Sequence, residues 1–251
     1  MEKIGVNVFV ETVYPGVNIG CIVTNHGSIC VDTPLLPGEA QRWQTLIRSL
    51  EDKPVRFVVY TSGQSDRSLG TQYLLSDQSK PAPKSHPRLG IGKGRVVAQR
   101  GAWEKLKDLS TDNFKQSMKD KFADRDPDIV NLRVMLPEIM VDRQAKLYMG
   151  DHVVWLLAAA SGMLWLWLPE QGVLFVGDTV VVGTHPPLGV TLTAEWLTAL
   201  ARLRQDPRFQ DAIIVPGRGP LCDVSATEPL IAYLQLARER TANLFHAGRP
   251  K

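Results

Sequence analysis

The apolar and polar positions of this chain form two β-rich halves, each followed by helical sequence. Short apolar runs separated by turns indicate strands, and longer segments with apolar side chains at helical spacing indicate helices. The pattern predicts strands at Val6–Val13, Ile19–Thr24, Ser28–Asp32, Val55–Tyr60, Val96–Ala98, Pro137–Val141, Ala145–Met149, His152–Leu157, Gly162–Leu168, Val173–Val176 and Ala212–Val215. It predicts helices at Gly38–Leu50, Leu69–Leu75, Ala102–Phe122, Thr193–Leu203 and Glu228–Phe245.

This order of elements favours a mixed α/β (α+β) fold with sheets inside and helices outside. We expect a single domain over residues 1–251. One strand is especially informative, because Trp165 and Trp167 share one face while the leucines between and beside them take the other. Both faces are apolar, so this strand is expected to be covered on both sides, with core packing favoured over a dimer surface.

Composition and charge exclude several classes of protein. The chain is 44% apolar and 22% charged with a formal net charge of +3, which is too weakly basic to indicate nucleic-acid binding. It has no run of about 20 apolar residues and no signal-peptide pattern, so we expect a cytoplasmic protein without a membrane partner. Cys21, Cys30 and Cys222 form no CxxC motif and are expected to be free thiols.

Residues 78–95 differ from the rest of the chain because they are rich in Pro, Gly and Ser. The longer window Gln78–Trp103 contains six basic residues and no acidic one. The glycine-rich run Gly90–Gly94 lacks the GxxxxGK[ST] spacing of a phosphate loop. We interpret the segment as a flexible basic surface loop. Contact with an acidic partner or with nucleic acid is the alternative.

Four motifs in order connect the chain to a known family. Residues 61–70 read TSGQSDRSLG after a predicted strand, which resembles the THxHxDHxxG zinc-binding segment of the metallo-β-lactamase superfamily. The other three are the opening strands with Asn18 and Asp32, the segment LWLWLPEQGVLFVGD at 164–178, and IVPGRGP at 214–220. The chain is therefore identified as a member of this superfamily, in its glyoxalase II-like branch. The resemblance implies a four-layer αββα sandwich, in which Asp32 supports the metal-site loop.

The resemblance also implies that most zinc ligands are missing. The two histidines of the first metal site correspond to Ser62 and Gln64, and the third corresponds to Ala159. The Asp-His pair corresponds to Asp66 and Arg67. The bridging aspartate is Asp178, and the last histidine corresponds to Arg218. Only Asp66 and Asp178 keep a ligating side chain, so the chain resembles a degenerate member with no catalytic residues in its cleft.

The remaining side chains are poorly suited to zinc. Zinc prefers about four imidazole, thiolate or carboxylate ligands. We therefore expect no metal and no cofactor, although the carboxylates of Asp66 and Asp178 could hold Mg²⁺ or Ca²⁺ weakly. Two uncompensated carboxylates in one cleft would repel each other. We expect Arg218 to pair with Asp178 or Asp66, and Arg67 to complete a four-charge network.

If that pair is buried, Arg218→Ala should destabilise the protein by roughly 3–5 kcal/mol. Two alternatives stay open for this region. Residues 61–70 could form a surface turn with solvated arginines, or Arg67, Arg218 and Gln64 could bind a small anion.

The expected function is that of a pseudoenzyme acting by binding or assembly, with an unidentified protein partner or as a homodimer. The alternatives are a hydrolase of an ester, lactone or thioester with an atypical metal site or none, and a small-anion binding module. A metal-free hydrolase could use Ser62 as nucleophile, with Asp66 or His185 as the base. His185 is the only histidine with a sequence position that could bring it to the cleft.

Overall fold

Two β sheets pack face to face in the computed structural model, which describes residues 1–75, 94–109, 111–188 and 191–246. The first sheet has seven strands in chain order, antiparallel from β1 to β4 and parallel from β4 to β7. These are β1 (Glu2–Gly5), β2 (Val8–Glu11), β3 (Ile19–Thr24), β4 (Gly27–Val31), β5 (Val55–Val59), β6 (Arg95–Gln99) and β7 (Ile139–Val141).

The second sheet has five strands in the order β12-β11-β10-β9-β8. All neighbours are antiparallel except β11 and β12, which are parallel. These strands are β8 (Gln144–Tyr148), β9 (Val153–Ala160), β10 (Met163–Leu168), β11 (Val173–Val181) and β12 (Ile213–Arg218).

Helices cover the outer face of each sheet and complete a four-layer αββα sandwich. Buried side chains of α1 and α3 pack on the first sheet, and those of α5 and α6 pack on the second. The helices are α1 (Pro37–Leu50), α2 (Thr71–Leu74), α3 (Arg100–Asp108), α4 (Asp112–Phe122), α5 (Thr193–Gln205) and α6 (Thr227–His246). The fold class expected from the sequence is thus confirmed.

The strand β10 lies in the interior of this sandwich. Its leucines pack in the core between the two sheets, whereas Trp165 and Trp167 pack beneath α5 and α6 against Phe209. All six residues of β10 are buried. The apolar character of both faces therefore reflects core packing, and this strand offers no dimer surface.

Three predicted elements differ from the structure. The strand predicted at Val6–Val13 is instead the second arm of a hairpin, because Asn7 takes a left-handed conformation (φ 58°) and turns the chain between β1 and β2. The helix predicted at Ala102–Phe122 is two helices, with Thr111 capping the second. The strand predicted to end at Val176 continues to Val181. Asp178 therefore lies inside a strand.

Other expectations concern the basic loop, the cysteines and membrane association. Most of the predicted loop at 78–95 lies outside the described residues, which resume at Gly94. Cys21 and Cys30 are free and face each other across β3 and β4, and Cys222 is also free. Within the described ranges, no helix is long and apolar enough to cross a bilayer.

Candidate functional site

Five charged side chains from both halves of the chain meet at one end of the sandwich. Asp32 follows β4, and Asp66 and Arg67 lie on the 3₁₀ turn Ser65–Arg67 after β5. Asp178 is inside β11, and Arg218 is the last residue of β12. We call these five residues the ion-pair cluster.

Arg67 is the centre of the ion-pair cluster. Its side chain is fully buried, with 0% exposure. Its Nε donates to Oδ2 of Asp178 at 3.0 Å, and its Nη2 donates to Oδ1 of the same carboxylate. Its Nη1 donates to Oδ2 of Asp32 at 3.0 Å. The planar guanidinium thus contacts both oxygens of one carboxylate and one oxygen of another, the arrangement for which arginine is best suited.

Glycines allow this close approach. A Cβ atom on Gly217 would lie 2.6 Å from Nη2 of Arg67 and even closer to Oδ1 of Asp178. The carbonyl oxygen of Gly217 also accepts from Nη2 of Arg67 at 3.3 Å. Gly177 has φ +53°, and a side chain there would collide with Oγ1 of Thr61. The backbone therefore leaves room only for hydrogen at Gly217, beside the Arg67–Asp178 pair, and at Gly177, beside Thr61.

Asp32 fixes the loop that presents Arg67. Its carboxylate accepts from the amide of Thr61 at 2.7 Å and from the hydroxyl of Thr61 at 2.5 Å. Asp32 itself is held in a left-handed conformation, with φ 54°. The carbonyl oxygen of Arg67 accepts from the backbone amide of Thr33 at 3.1 Å. The end of β4 therefore holds both ends of the turn between Thr61 and Arg67.

Arg218 and Asp66 form the outer part of the ion-pair cluster. Nη2 of Arg218 lies 2.7 Å from Oδ2 of Asp66, and its Nε lies 3.4 Å from Oδ1 of Asp178. Both the Arg218 and the Asp66 side chains are 23% exposed. The expected pairing of Arg218 is present in the structure, but water reaches it. This exposure lowers the destabilisation expected for Arg218→Ala below the value for a buried pair.

Burial and charge act against each other within the cluster. Burial raises the pKa of Asp32 to about 6, although Arg67 and the hydrogen bonds from Thr61 oppose it. Burial also raises the pKa of Asp66, and Arg67 opposes this. Burial opposes the charge of Arg67, but Asp178 and Asp32 outweigh it and raise the pKa of the guanidinium. Arg67 therefore stays charged, and Asp32 takes up a proton at a higher pH than an ordinary aspartate does.

The remaining sequence-predicted positions have different environments. The hydroxyl of Ser62 is buried without a hydrogen-bond partner, and Ser62 forms an isolated β bridge with Met163. Gln64 is half-buried at the start of the 3₁₀ turn. Ala159 packs against the apolar cluster beneath α5 and α6. His185 is exposed, with its Nε2 2.6 Å from the hydroxyl of Tyr233 on α6.

Two residues make contacts at the site that the sequence did not predict. Asp32 was expected to support the loop, and it also contacts Arg67 directly. Asn18 belongs to one of the recognised motifs, and its side-chain amide donates to the carbonyl oxygens of Pro216 at 2.9 Å and Gly219 at 2.7 Å. These contacts fix the loop that carries Gly217 and Arg218. The sequence signal for this role is the position of Asn18 just after Pro15-Gly16.

The side chains do not fit the zinc centre that the fold would ordinarily hold. Both oxygens of Asp178 accept from Arg67, and the ligand positions at Ser62, Gln64 and Ala159 provide no imidazole, thiolate or carboxylate. In the described part of the chain, no group of three or more His, Cys, Asp or Glu residues is placed to hold a metal ion.

Comparison with known proteins identifies the family. The model of the metallo-beta-lactamase superfamily matches residues 16–218, a range that includes the whole ion-pair cluster. The chain belongs to the metallo-β-lactamase superfamily. A search of curated proteins finds no match.

Solved structures show the same fold at low sequence identity. A metallo-beta-lactamase from Pontibacter korlensis is 18% identical, with a TM-score of 0.65 over 93% of this chain and 97% of that one. A metallo-beta-lactamase family protein from Thermus thermophilus is also 18% identical, with a TM-score of 0.66 over 93% and 81%. The sec-alkyl sulfatase PisA1, as a double mutant, is 12% identical with a TM-score of 0.72, over 98% of this chain and 43% of that one.

Proposed function

We propose that this protein is a non-catalytic member of the superfamily that acts by binding or assembly, with its former metal centre replaced by the ion-pair cluster. The observation that supports this most strongly is the contact of Arg67 with both oxygens of Asp178. That aspartate corresponds to the bridging metal ligand of the family, and its lone pairs are directed at a fixed positive charge. The place of the chain in the glyoxalase II-like branch stays a prediction.

A metal-free hydrolase has less support. Ser62, the candidate nucleophile, is fully buried. Of its two candidate bases, Asp66 pairs through Oδ2 with Arg218, and the Nε2 of His185 is next to Tyr233. A nucleophile needs a base within hydrogen-bond reach. Hydrolysis by this route would require the cluster to open first.

A small-anion site in the cleft also has less support. The ion-pair cluster contains three carboxylates and two guanidinium groups, a formal excess of one negative charge. A further anion would meet repulsion in this environment, where effective dielectric constants are low.

Metal content and turnover test the proposal together. The protein is dialysed against zinc, iron and manganese and then analysed for bound elements. It is also assayed on ester, lactone and thioester substrates. We expect less than about a tenth of an equivalent of metal, because the site lacks a four-ligand set, and no turnover above buffer. A variant with histidine at positions 62, 64, 67 and 218 is the positive control for metal uptake.

Other results would favour one of the two hydrolase alternatives. About one equivalent of metal, with turnover abolished by a chelator, would contradict the proposal and indicate an atypical metal site. Turnover that survives chelators but disappears in Ser62→Ala would indicate a metal-free hydrolase.

A further inference from the structure

Tyr233 on α6 and His185 in the loop after β11 are in direct contact. The Nε2 of His185 lies 2.6 Å from the hydroxyl oxygen of Tyr233. The two rings also meet edge to face, with centroids 5.3 Å apart and an interplanar angle of 84°. Neither residue belongs to the ion-pair cluster, and we call the two residues the tyrosine–histidine pair.

The second ring nitrogen of His185 fixes the direction of the hydrogen bond to Tyr233. Nδ1 of His185 lies 3.0 Å from the carbonyl oxygen of Pro186. Because a carbonyl oxygen can only accept, Nδ1 carries the proton in the neutral ring and Nε2 has a free lone pair. Tyr233 therefore donates its hydroxyl proton to Nε2. This is the arrangement of a nucleophile and its general base, in which a third group orients the base.

The fold holds both members of the tyrosine–histidine pair in place. The ring of Tyr233 is half-buried and packs against the apolar cluster between the second sheet and its helices. His185 is exposed, but it is followed by the buried Pro186, and a proline restricts the backbone of the residue before it. The hydroxyl and the imidazole are thus positioned before a substrate arrives, which lowers the entropic part of a reaction barrier.

The surface of α6 around Tyr233 is uncharged. Residues three and four positions away on a helix are neighbours on its surface. At these positions α6 carries Pro229, Leu230, Leu236 and Ala237. The side chain of Leu236 is 46% exposed. This surface favours a neutral substrate with an apolar group over a charged one, because contact with it removes apolar area from water.

We propose that Tyr233 is a modification site that accepts an acyl group from neutral activated esters, with His185 as the general base. The phenol oxygen attacks the acyl carbon while Nε2 of His185 takes the phenolic proton. A carbon–oxygen bond forms to Tyr233, and the bond between the acyl carbon and the leaving oxygen breaks. The leaving group departs as an anion, and the imidazolium then releases its proton to water. The proposal does not depend on the proposed function, since the ion-pair cluster takes no part in this step.

Reaction of the full chain with p-nitrophenyl butyrate tests the proposal. We expect a burst of about one equivalent of nitrophenolate from the tyrosine–histidine pair, with no turnover afterwards. Peptide mass spectrometry should locate the butyryl group on Tyr233. Hydroxylamine should remove this aryl ester and leave acylated lysines unchanged.

Tyr148 on β8 is the internal control for accessibility. It is the most exposed of the five tyrosines, at 72%. If exposure alone decided the reaction, Tyr148 would be acylated faster than the half-buried Tyr233. We expect Tyr233 to react at least about tenfold faster than Tyr148, because a positioned general base contributes about 10²–10⁴-fold.

His185→Gln separates the basicity of His185 from its position. The amide oxygen of glutamine can accept the hydrogen bond from Tyr233, but it does not take up a proton in neutral water. We expect acylation of Tyr233 to slow at least about tenfold and that of Tyr148 to stay unchanged. Tyr233→Phe should remove the burst, and thermal unfolding of each variant shows whether it is folded.

Three results would overturn the proposal: no ester on Tyr233 in the wild type, acylation of Tyr148 as fast as that of Tyr233, or an unchanged rate at Tyr233 in His185→Gln. Continued turnover that disappears in Tyr233→Phe would also overturn it. The tyrosine–histidine pair would then be a catalytic centre and not a site of a single modification.

Discussion

The protein contains two forked arginine–aspartate pairs with nearly the same geometry and opposite surroundings. Arg67 contacts both oxygens of Asp178 with no side-chain exposure, whereas Arg100 contacts both oxygens of Asp142 at 2.6 and 3.1 Å with its side chain 54% exposed. At the surface, water competes for both charges, and a typical pair contributes little. In the interior, removing one partner leaves a charge that water cannot reach. Hydrogen-bond geometry alone therefore does not predict how much an ion pair contributes to the free energy of unfolding.

The largest expected difference between the two pairs comes from removing each arginine. Arg67→Met should destabilise the protein by about 3–5 kcal/mol, because Asp32 would stay buried without a counter-charge and Asp178 would keep only the partly exposed Arg218. Arg100→Met should leave the unfolding midpoint unchanged within error. Urea denaturation of both variants measures this. In Arg67→Met/Asp178→Leu, part of the loss should be recovered, and a double variant no more stable than Arg67→Met would contradict the counter-charge explanation.

The pH dependence of the free energy of unfolding should report on Asp32, the second carboxylate that contacts the buried Arg67. The pKa of Asp32 rises from its ordinary value of 3.8 to about 6 in the folded state. Its contribution to stability is therefore present below about pH 4 and is lost as the pH rises through 6, with a total of roughly 2–3 kcal/mol. We expect the free energy of unfolding to fall between about pH 4.5 and 7.

Asp32→Asn should remove most of this slope. The matched control is Asp206→Asn, because the hydrogen bond from Arg208 lowers the pKa of Asp206, so that its titration lies below this window. An equal slope in the wild type and Asp32→Asn would refute the assignment.

Gly217→Ala tests whether the buried pair needs the space that the backbone leaves. The added methyl group would collide with Asp178 and come within 2.6 Å of Nη2 of Arg67. We expect a destabilisation of about 1–3 kcal/mol, as for other overpacked sites. In an Arg67→Met background the same substitution should be less harmful, since the guanidinium is gone. Equal effects in both backgrounds would mean that the collision with Arg67 contributes nothing.

Within the ion-pair cluster, the smallest loss of stability is expected for the partly exposed pair of Arg218 and Asp66. Arg218→Ala should destabilise the protein by about 1–2 kcal/mol, because water screens Arg218 and Asp66 but not the nearby Asp178. Chemical denaturation at low and high salt measures this loss, which should shrink as salt rises. A loss as large as that of Arg67→Met would mean that Arg218 belongs to the buried group.

The sequence was sufficient to predict the sandwich but only part of the cluster. Strand β10 could be predicted because its tryptophans and leucines alternate, and the side-chain period of a strand is two residues. The motifs brought Asp66, Arg67, Asp178 and Arg218 to one end of the fold. The motifs did not show that Arg67, and not Arg218, would donate to both oxygens of Asp178. That outcome depends on how deeply each arginine side chain is buried.

The hairpin at the amino end and the continuation of β11 past Gly177 were missed for a related reason. Asn7 and Gly177 have positive φ values. A left-handed Asn can either end a strand or turn it, and a left-handed Gly can lie within one, so local pattern does not decide between these outcomes.

The contacts of Arg67 also have a consequence for the order of folding. Its partners are distant along the chain, at separations of 35 residues to Asp32 and 111 to Asp178. Contacts of such long range require large loops to close, and they tend to form late. The two halves of the chain must therefore dock before Arg67 can pair with Asp178. We expect this pair to be absent from the folding transition state. Such an interaction leaves the folding rate almost unchanged and slows unfolding, so it would give the native protein a long lifetime.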